Sequence, residues 1–187
     1  MDGFRIPLGA WAKASIDFVV DTFGWFFDFI ATIFSALYSG AEWIFTTPPF
    51  WAIIIVIAAI AWLAKGWKLA LGTVVGLLLI VGIDQWKNAM QTLSLTLVAV
   101  LIAIIIAIPI GVWAARSQAV SAVVRPILDF LQTMPAFVYL IPAIFLFGVG
   151  VVPGMVATVL FSVAPGVRLT ELGIRGVDKE VVEAGNA

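Results

Sequence analysis

Charged residues are concentrated near the end of the sequence, after a long stretch that is almost entirely apolar. Seven of the 21 Lys, Arg, Asp and Glu residues lie between Arg168 and Glu183. Each of these charges would cost several kcal/mol inside a lipid bilayer. We therefore expect segment 164–187 to lie in water at a membrane face, with a helix leaving the bilayer at Arg168 and turns at Gly173 and Gly176.

The last eleven residues of this segment predict a short helix that docks on another protein. Asp178 suits the N-terminal end of such a helix, and two glutamates follow in its first turns, where they face the positive end of the helix dipole. The apolar residues that recur at helical spacing are Val177, Val181 and Ala184. They form one apolar face, which suits a groove on a partner protein. An ordinary cytoplasmic loop is the alternative.

A second group of residues lies within predicted membrane helices and suits a path for a solute. Prolines at positions 109, 135, 142 and 165 each interrupt a helical hydrogen-bond ladder, and the freed backbone groups must be satisfied by neighbours or by a water-lined cavity. The candidates for lining such a path are Gln132, Thr133, Pro135, Tyr139 and Pro142. The alternative is that the prolines are kinks that improve helix packing.

The composition is that of an integral membrane protein. Of the 187 residues, 63% are apolar and 11% are charged, whereas soluble domains have about 45–50% apolar and about 25% charged residues. The sequence has no cysteine and no histidine, so we predict no catalytic, cofactor or metal site. It contains no G-x-x-x-x-G-K-[ST] loop for ATP, and it has no basic patch for nucleic acid.

The apolar runs predict an all-α, polytopic helix bundle of about five transmembrane helices, preceded by an amphipathic helix. The expected spans are 50–64, 67–83, 89–115, 130–147 and 155–167. A polar connector is expected at 117–129 and a tight turn at 148–154. The predicted domains are an N-terminal amphipathic segment, 1–47, and a membrane domain, 48–187.

The pattern of residues 16–45 predicts an amphipathic helix with one polar stripe, or two such helices broken near Gly24 or Gly40. The acids on this stripe are Asp17, Asp21, Asp28 and Glu42. Acids disfavour a lipid-exposed span, but helices in the membrane interface usually carry Lys and Arg on their polar face. The residue pattern therefore leaves two alternatives, a helix in the plane of the membrane or a helix that spans it.

Basic residues near the span ends predict the orientation, because cytoplasmic loops are enriched in Lys and Arg. Placing the segment after Arg168 in the cytoplasm puts seven basic residues inside and only Lys87 outside among the loops between spans. The interiors of the predicted spans contain no carboxylate, lysine or histidine of the kind that ion-driven carriers use. We therefore expect a partner, and not an ion gradient through this chain, to supply the energy for any transport.

Several stretches resemble the glycine betaine/proline betaine (choline) permeases of binding-protein-dependent ABC importers. These stretches are IPLGAW (6–11), LDFLQTMPAFVYLIPAIFLFGVGVVPG (128–154), RLTELGI (168–174) and the triplet Glu183-Ala184-Gly185. The triplet is similar to the start of the family's EAA loop, with Gly185 where a second Ala is usual. The family's loop continues beyond this point into further spans, so we expect the sequence to be the N-terminal part of a permease.

The resemblance implies a permease subunit in a bacterial or archaeal plasma (inner) membrane that carries glycine betaine, proline betaine or choline. Glu183, Ala184 and Gly185 would then dock on a cytoplasmic ATP-binding ABC subunit. The other implied partners are an external substrate-binding protein, a second permease subunit in a homodimer, and membrane lipid. The resemblance also favours placing helix 16–45 in the outer membrane plane. A structural or receptor-like membrane protein without transport activity is the alternative, and an ion-driven carrier is a third.

Overall fold

The computed structural model describes residues 7–177, and this range consists of seven α-helices and short connections, without a β-strand. The helices are α1 (Leu8–Thr46), α2 (Phe50–Lys65), α3 (Trp67–Gly82), α4 (Trp86–Arg116), α5 (Gln118–Thr133), α6 (Ala136–Phe147) and α7 (Val151–Arg175). The predicted all-α, polytopic fold class is confirmed.

Three of the described helices are long and apolar enough to cross a membrane: α1, α4 and α7. Helices α5 and α6 count as a fourth span if the bent pair is taken as one element. Helices α2 and α3 are apolar but have only 16 residues each, fewer than the roughly 20 residues that a helix normally needs to span the hydrocarbon core.

Residues 35–98 form one compact unit, built around the hairpin of α2 and α3. Gly66 joins these two helices with φ = 85°, a left-handed conformation that glycine adopts without the steric cost of a Cβ. In the same unit, the Gln91 amide donates a hydrogen bond of 2.7 Å to the Glu42 carboxylate. Glu42 is therefore half-buried and bound to α4, whereas Asp17, Asp21 and Asp28 are exposed on α1.

Helix α1 runs through the whole predicted amphipathic segment with a single kink. The backbone leaves helical geometry at Phe23 (φ −116°, ψ 15°), next to Gly24, one of the two positions at which the sequence allowed a break. The helix continues unbroken through Gly40. Its length and hydropathy would allow it to span a membrane, so its placement in the membrane plane stays a prediction.

In the second unit, residues 7–34 and 99–177 of the described range, α6 packs on α7, and two buried clusters join α7 to α4 and α5. The buried residues of these two clusters are Ala99, Ala103, Ala107, Leu128, Val159, Ala164 and Val167. Small residues bring α4 and α7 close together: a Cβ on Gly111 would lie 2.5 Å from Thr170 Cβ, and one on Gly166 would lie 2.8 Å from Ala107 Cβ. Close approach through small residues is the usual way in which membrane helices pack.

The structure corrects the predicted boundaries of the fourth span. Residues 117–129 are not a polar connector, because helix α5 begins at Gln118, where Ser117 accepts a hydrogen bond from the Val120 amide. The expected single span 130–147 is divided at Met134 and Pro135, and α5 and α6 meet there at 97°. Pro135 has no amide hydrogen and favours an extended backbone for the residue before it, as Met134 shows (φ −84°, ψ 137°).

Two other expectations at α7 are also wrong. The predicted turn 148–154 is shorter, since α7 begins at Val151 and includes Pro153, which is tolerated in a first helical turn. Gly173 is not a turn, because the helix continues through it to Arg175, and Gly176 then caps the helix by donating its amide to the Leu172 carbonyl. The charged residues from Arg168 to Arg175 thus form the last two turns of a helix.

The bend between α5 and α6 makes the predicted orientation testable at one pair of positions. A broken span would place Gln118 in the cytoplasm and Gly150 outside, as the distribution of basic residues predicts. Single cysteines at these positions in the membrane-inserted protein should then react with an impermeant maleimide from opposite sides. Labelling of both from the same side would mean that α5 and α6 form a re-entrant loop.

Candidate functional site

A buried carboxylate lies at the C-terminal end of α7, at the centre of a charged cluster. Glu171 is 4% exposed, and one of its oxygens, Oε1, receives three side-chain contacts. The Ser121 hydroxyl donates a hydrogen bond of 2.7 Å, Arg125 Nη2 donates one of 3.1 Å, and Arg175 Nη2 lies at 3.2 Å. Burial of a charge is tolerated only with such compensation.

Arg175 extends the cluster to a third helix. Its Nη2 donates a hydrogen bond of 2.8 Å to the carbonyl of Ala114, in the last turn of α4. The last carbonyls of a helix have no partner within the helix, so Arg175 caps α4 while it is paired with Glu171. Glu171 therefore fixes the end of α7 to α5 through Ser121 and Arg125, and Arg175 fixes it to α4.

A second, exposed ion pair joins the same two helices about one turn away from Glu171. Arg168 of α7 pairs with Asp129 of α5. Both side chains are substantially exposed, 37% and 62% respectively, and exposed pairs add little stability. The cleft between the two pairs has a volume of about 330 Å³ and is lined by Arg125, Asp129, Arg168, Glu171 and Leu172.

The composition of this cluster indicates a mechanical role. Both carboxylates are already paired with guanidinium groups, and guanidinium groups do not give up a proton near neutral pH. The cluster thus offers no free base and no oxygen-rich metal site. Its contacts between helices join residues that are 39 to 61 positions apart in the sequence, and this is how it fixes three helix segments in one arrangement.

The charge pattern predicts that these residues lie in water, and Glu171 is not among the predicted site residues. A signal was nevertheless present on each helix. Ser121, Arg125 and Asp129 recur every four residues, and Glu171 and Arg175 lie three and seven residues after Arg168. Residues with these spacings share one helix face. Interpreting 117–129 as a helix would have placed these two complementary charged faces opposite each other.

Four of the five predicted translocation-path residues lie at the junction between α5 and α6. Gln132 and Thr133 end α5 and are exposed, and Pro135 precedes α6. The Thr133 hydroxyl donates to the Phe130 carbonyl at 3.0 Å, and the buried Tyr139 donates its hydroxyl to the Leu131 carbonyl at 2.5 Å. Side chains thus satisfy two of the carbonyls that the end of α5 leaves unpaired.

The remaining predicted residues divide between the described and the undescribed parts of the chain. Pro142 is exposed inside α6, where the helix continues past it. The predicted ATPase-docking residues Glu183, Ala184 and Gly185 lie outside the described residues. The structure therefore brings Gln132, Thr133, Pro135 and Tyr139 together at one junction, while the docking residues stay a prediction.

The helices and their apolar lengths define the chain as a multi-pass helical membrane protein. Residues 107–187 match the model of a protein family described as the binding-protein-dependent transport system inner membrane component. This match begins in the second half of α4 and includes the Glu171 cluster. This match confirms the resemblance that the motifs of the chain indicated.

Curated relatives match nearly the whole chain. The glycine betaine/carnitine transport permease protein GbuB of Listeria monocytogenes is 45% identical over 97% of the chain. The glycine betaine transport system permease protein OpuAB of Bacillus subtilis is 44% identical over 98%, and the glycine betaine/proline betaine permease ProW of Escherichia coli is 41% identical over 97%. The chain spans 66%, 65% and 51% of their respective lengths.

Proposed function

We propose that this chain belongs to the membrane-spanning permease subunit of an ABC importer for glycine betaine or a related compatible solute, such as proline betaine or choline. A separate ATPase subunit would power transport, and an external binding protein would deliver the solute. The subunit would pair with a second copy in the plasma (inner) membrane of a bacterium or archaeon, with residues 48–187 in its transmembrane domain.

The observation that carries this proposal is the similarity along almost the entire chain. Identity of 41–45% extends over 97–98% of the residues, so it includes all the described helices as well as the polar segment after α7. Each of these relatives is described as a transport permease. The alternative, a structural or receptor-like protein without transport activity, has no such support.

We place part of the solute route at the junction of α5 and α6. Non-helical backbone at membrane depth is tolerated where it is covered by protein or borders a water-filled cavity. Exposed Gln132 and Thr133 supply neutral polar groups there, and Pro135 keeps the backbone between the two helices non-helical. Neutral groups bind a zwitterionic solute weakly, which suits passage. In this arrangement Tyr139 braces the junction through the Leu131 carbonyl.

We place the contact with the ATPase subunit in residues 177–187. In sequence they directly follow α7, whose end is fixed by the Glu171 cluster. ATP binding would close the ATPase pair, and the docked segment would pass this motion to the membrane helices. The route would then open alternately to the two sides of the membrane, in the manner of alternating access.

Uptake by the complete importer tests the proposal. The full-length permease, with its ATPase and binding protein, should restore accumulation of radiolabelled glycine betaine to cells that lack their own betaine importers. Excess proline betaine or choline should compete if either is also a substrate. An ATPase subunit with an inactivated P-loop lysine is the control and should abolish uptake. Absence of uptake, or uptake that survives this control, would contradict the proposed function.

A further inference from the structure

We infer that α5 is the lever that carries motion from the ATPase-docking segment to the α5–α6 junction, and that Ser121 and Arg125 are the positioning residues that fix this lever to α7. The inference rests on the proposed function and specifies its internal route. It follows from the two ends of α5, which are held by contacts of different kinds.

Polar and charged side chains along one face of α5 contact oppositely charged side chains of α7. Ser121 and Arg125 both bind Glu171 Oε1, at 2.7 and 3.1 Å, and Asp129 pairs with Arg168. Positions on α5 decrease as positions on α7 increase, so the two helices run antiparallel along this contact. Leu128 fills the apolar side of the contact together with Ala164 and Val167. A displacement of the end of α7 must therefore move α5 or break a buried charged contact.

At its C-terminal end, α5 does not continue into α6 as one straight helix. The chain turns by 97° between α5 and α6. The Tyr139 hydroxyl of α6 bonds the Leu131 carbonyl of α5 across this turn, and the Thr133 hydroxyl bonds the Phe130 carbonyl within the last turn of α5. No backbone helical hydrogen bonds continue across Pro135, because proline has no amide hydrogen. Motion of α5 would thus appear as a change of angle at the junction, where Gln132 and Thr133 are exposed.

The same carboxylate provides a matched control. Arg175 also binds Glu171, at 3.2 Å, but it lies on α7 itself and reaches α4 through the Ala114 carbonyl. Removing Arg175 takes one guanidinium away from Glu171 without touching α5. Removing Ser121 and Arg125 takes away both contacts between α5 and Glu171. If the cluster only adds stability, the two changes should have similar consequences.

The experiment follows a cysteine at Thr133 in the full-length permease, free of other cysteines and assembled with its ATPase and binding protein in proteoliposomes. The maleimide labelling rate is compared between the nucleotide-free and vanadate-trapped states. Coupling between distant sites commonly amounts to about fivefold or more, and we expect a change of this order in the parent. The double variant S121A/R125Q should lose it, hydrolyse ATP and take up little betaine. R175Q should keep the change in labelling.

Two results would overturn the inference. The double variant would retain the parental change in labelling if motion reaches the junction by another contact, such as the packing of α6 directly on α7. R175Q would lose the change as fully as the double variant if the cluster only stabilises the fold. If the double variant does not reach the membrane, the same labelling is measured on R125Q alone. The Arg125 side chain is 56% exposed, so this single substitution should let the protein fold. A parent that labels normally but imports no betaine would contradict the proposed function, not the lever.

Discussion

Replacing Glu171 with lysine is expected to destabilise the permease more than any other single substitution in the charged cluster. The ammonium group would enter a site that is 4% exposed and would meet Arg125 and Arg175 instead of neutralising them. The Ser121 hydroxyl would also lose its acceptor. Breaking a buried ion pair typically costs about 3–5 kcal/mol, and we expect a loss at the upper end of this range. Thermal unfolding of the full-length protein in detergent measures it.

Two variants make this result specific to the buried contact. Glu171→Gln keeps an oxygen that accepts from Ser121 but removes the charge, so we expect a smaller loss of about 1.5–3 kcal/mol, the value of hydrogen bonds to a charged group. Asp28→Lys makes the same charge change at an exposed acid of α1 and should change stability by about 0.5 kcal/mol or less. Equal unfolding temperatures for Glu171→Lys and Asp28→Lys would refute the structural role of the cluster.

The helices that were predicted correctly are those whose physical signal is local. Continuous apolar runs bounded by Pro49, Gly66 and Arg116 define α2, α3 and α4 to within a few residues. Each boundary depends on a property of one residue, such as the missing amide hydrogen of proline or the positive φ of Gly66. Neighbouring residues in the sequence therefore carried enough information to place these ends.

The Glu171 cluster was missed because its energetics are not local. A charged residue beside apolar residues is predicted to lie outside the membrane. The same prediction applies to Glu171 when its partners are not known. Those partners lie 46 and 50 residues earlier, on a helix that was itself misread as a connector. The burial of the carboxylate depends on contacts that only the folded chain brings together.

The prolines also show that local sequence does not determine where a helix ends. Pro109, Pro142 and Pro165 all lie inside helices that continue past them, whereas Pro135 separates two helices. The local chemistry of these residues is identical, so the sequence identified interruptions without telling a tolerated proline from a break. At position 135 the break leaves carbonyls at the end of α5 without backbone partners, and the hydroxyls of Thr133 and Tyr139 bond two of them, those of Phe130 and Leu131.

Gly185→Asp is expected to weaken docking of the ATPase subunit in the proposed importer, and it tests a position of the docking segment that lies outside the described residues. In the sequence, an apolar face formed by Val177, Val181 and Ala184 precedes this position, so an aspartate would add an unpaired charge and bulk to the docking groove. An unpaired charge at an interface typically costs about 2–5 kcal/mol. Solute-stimulated ATP hydrolysis and betaine uptake should therefore fall together.

Gly185→Ala is the matched control for this substitution. The resemblance to the EAA loop places a second alanine at this position, so the groove should accept a methyl group, and uptake and ATP hydrolysis should stay close to the parental values. Binding of betaine by the separate binding protein should be unaffected in both variants, because that step precedes contact with the permease. Parental uptake by Gly185→Asp would show that residues 177–187 do not carry the ATPase contact. The lever in α5 would then have to receive its motion from another cytoplasmic segment.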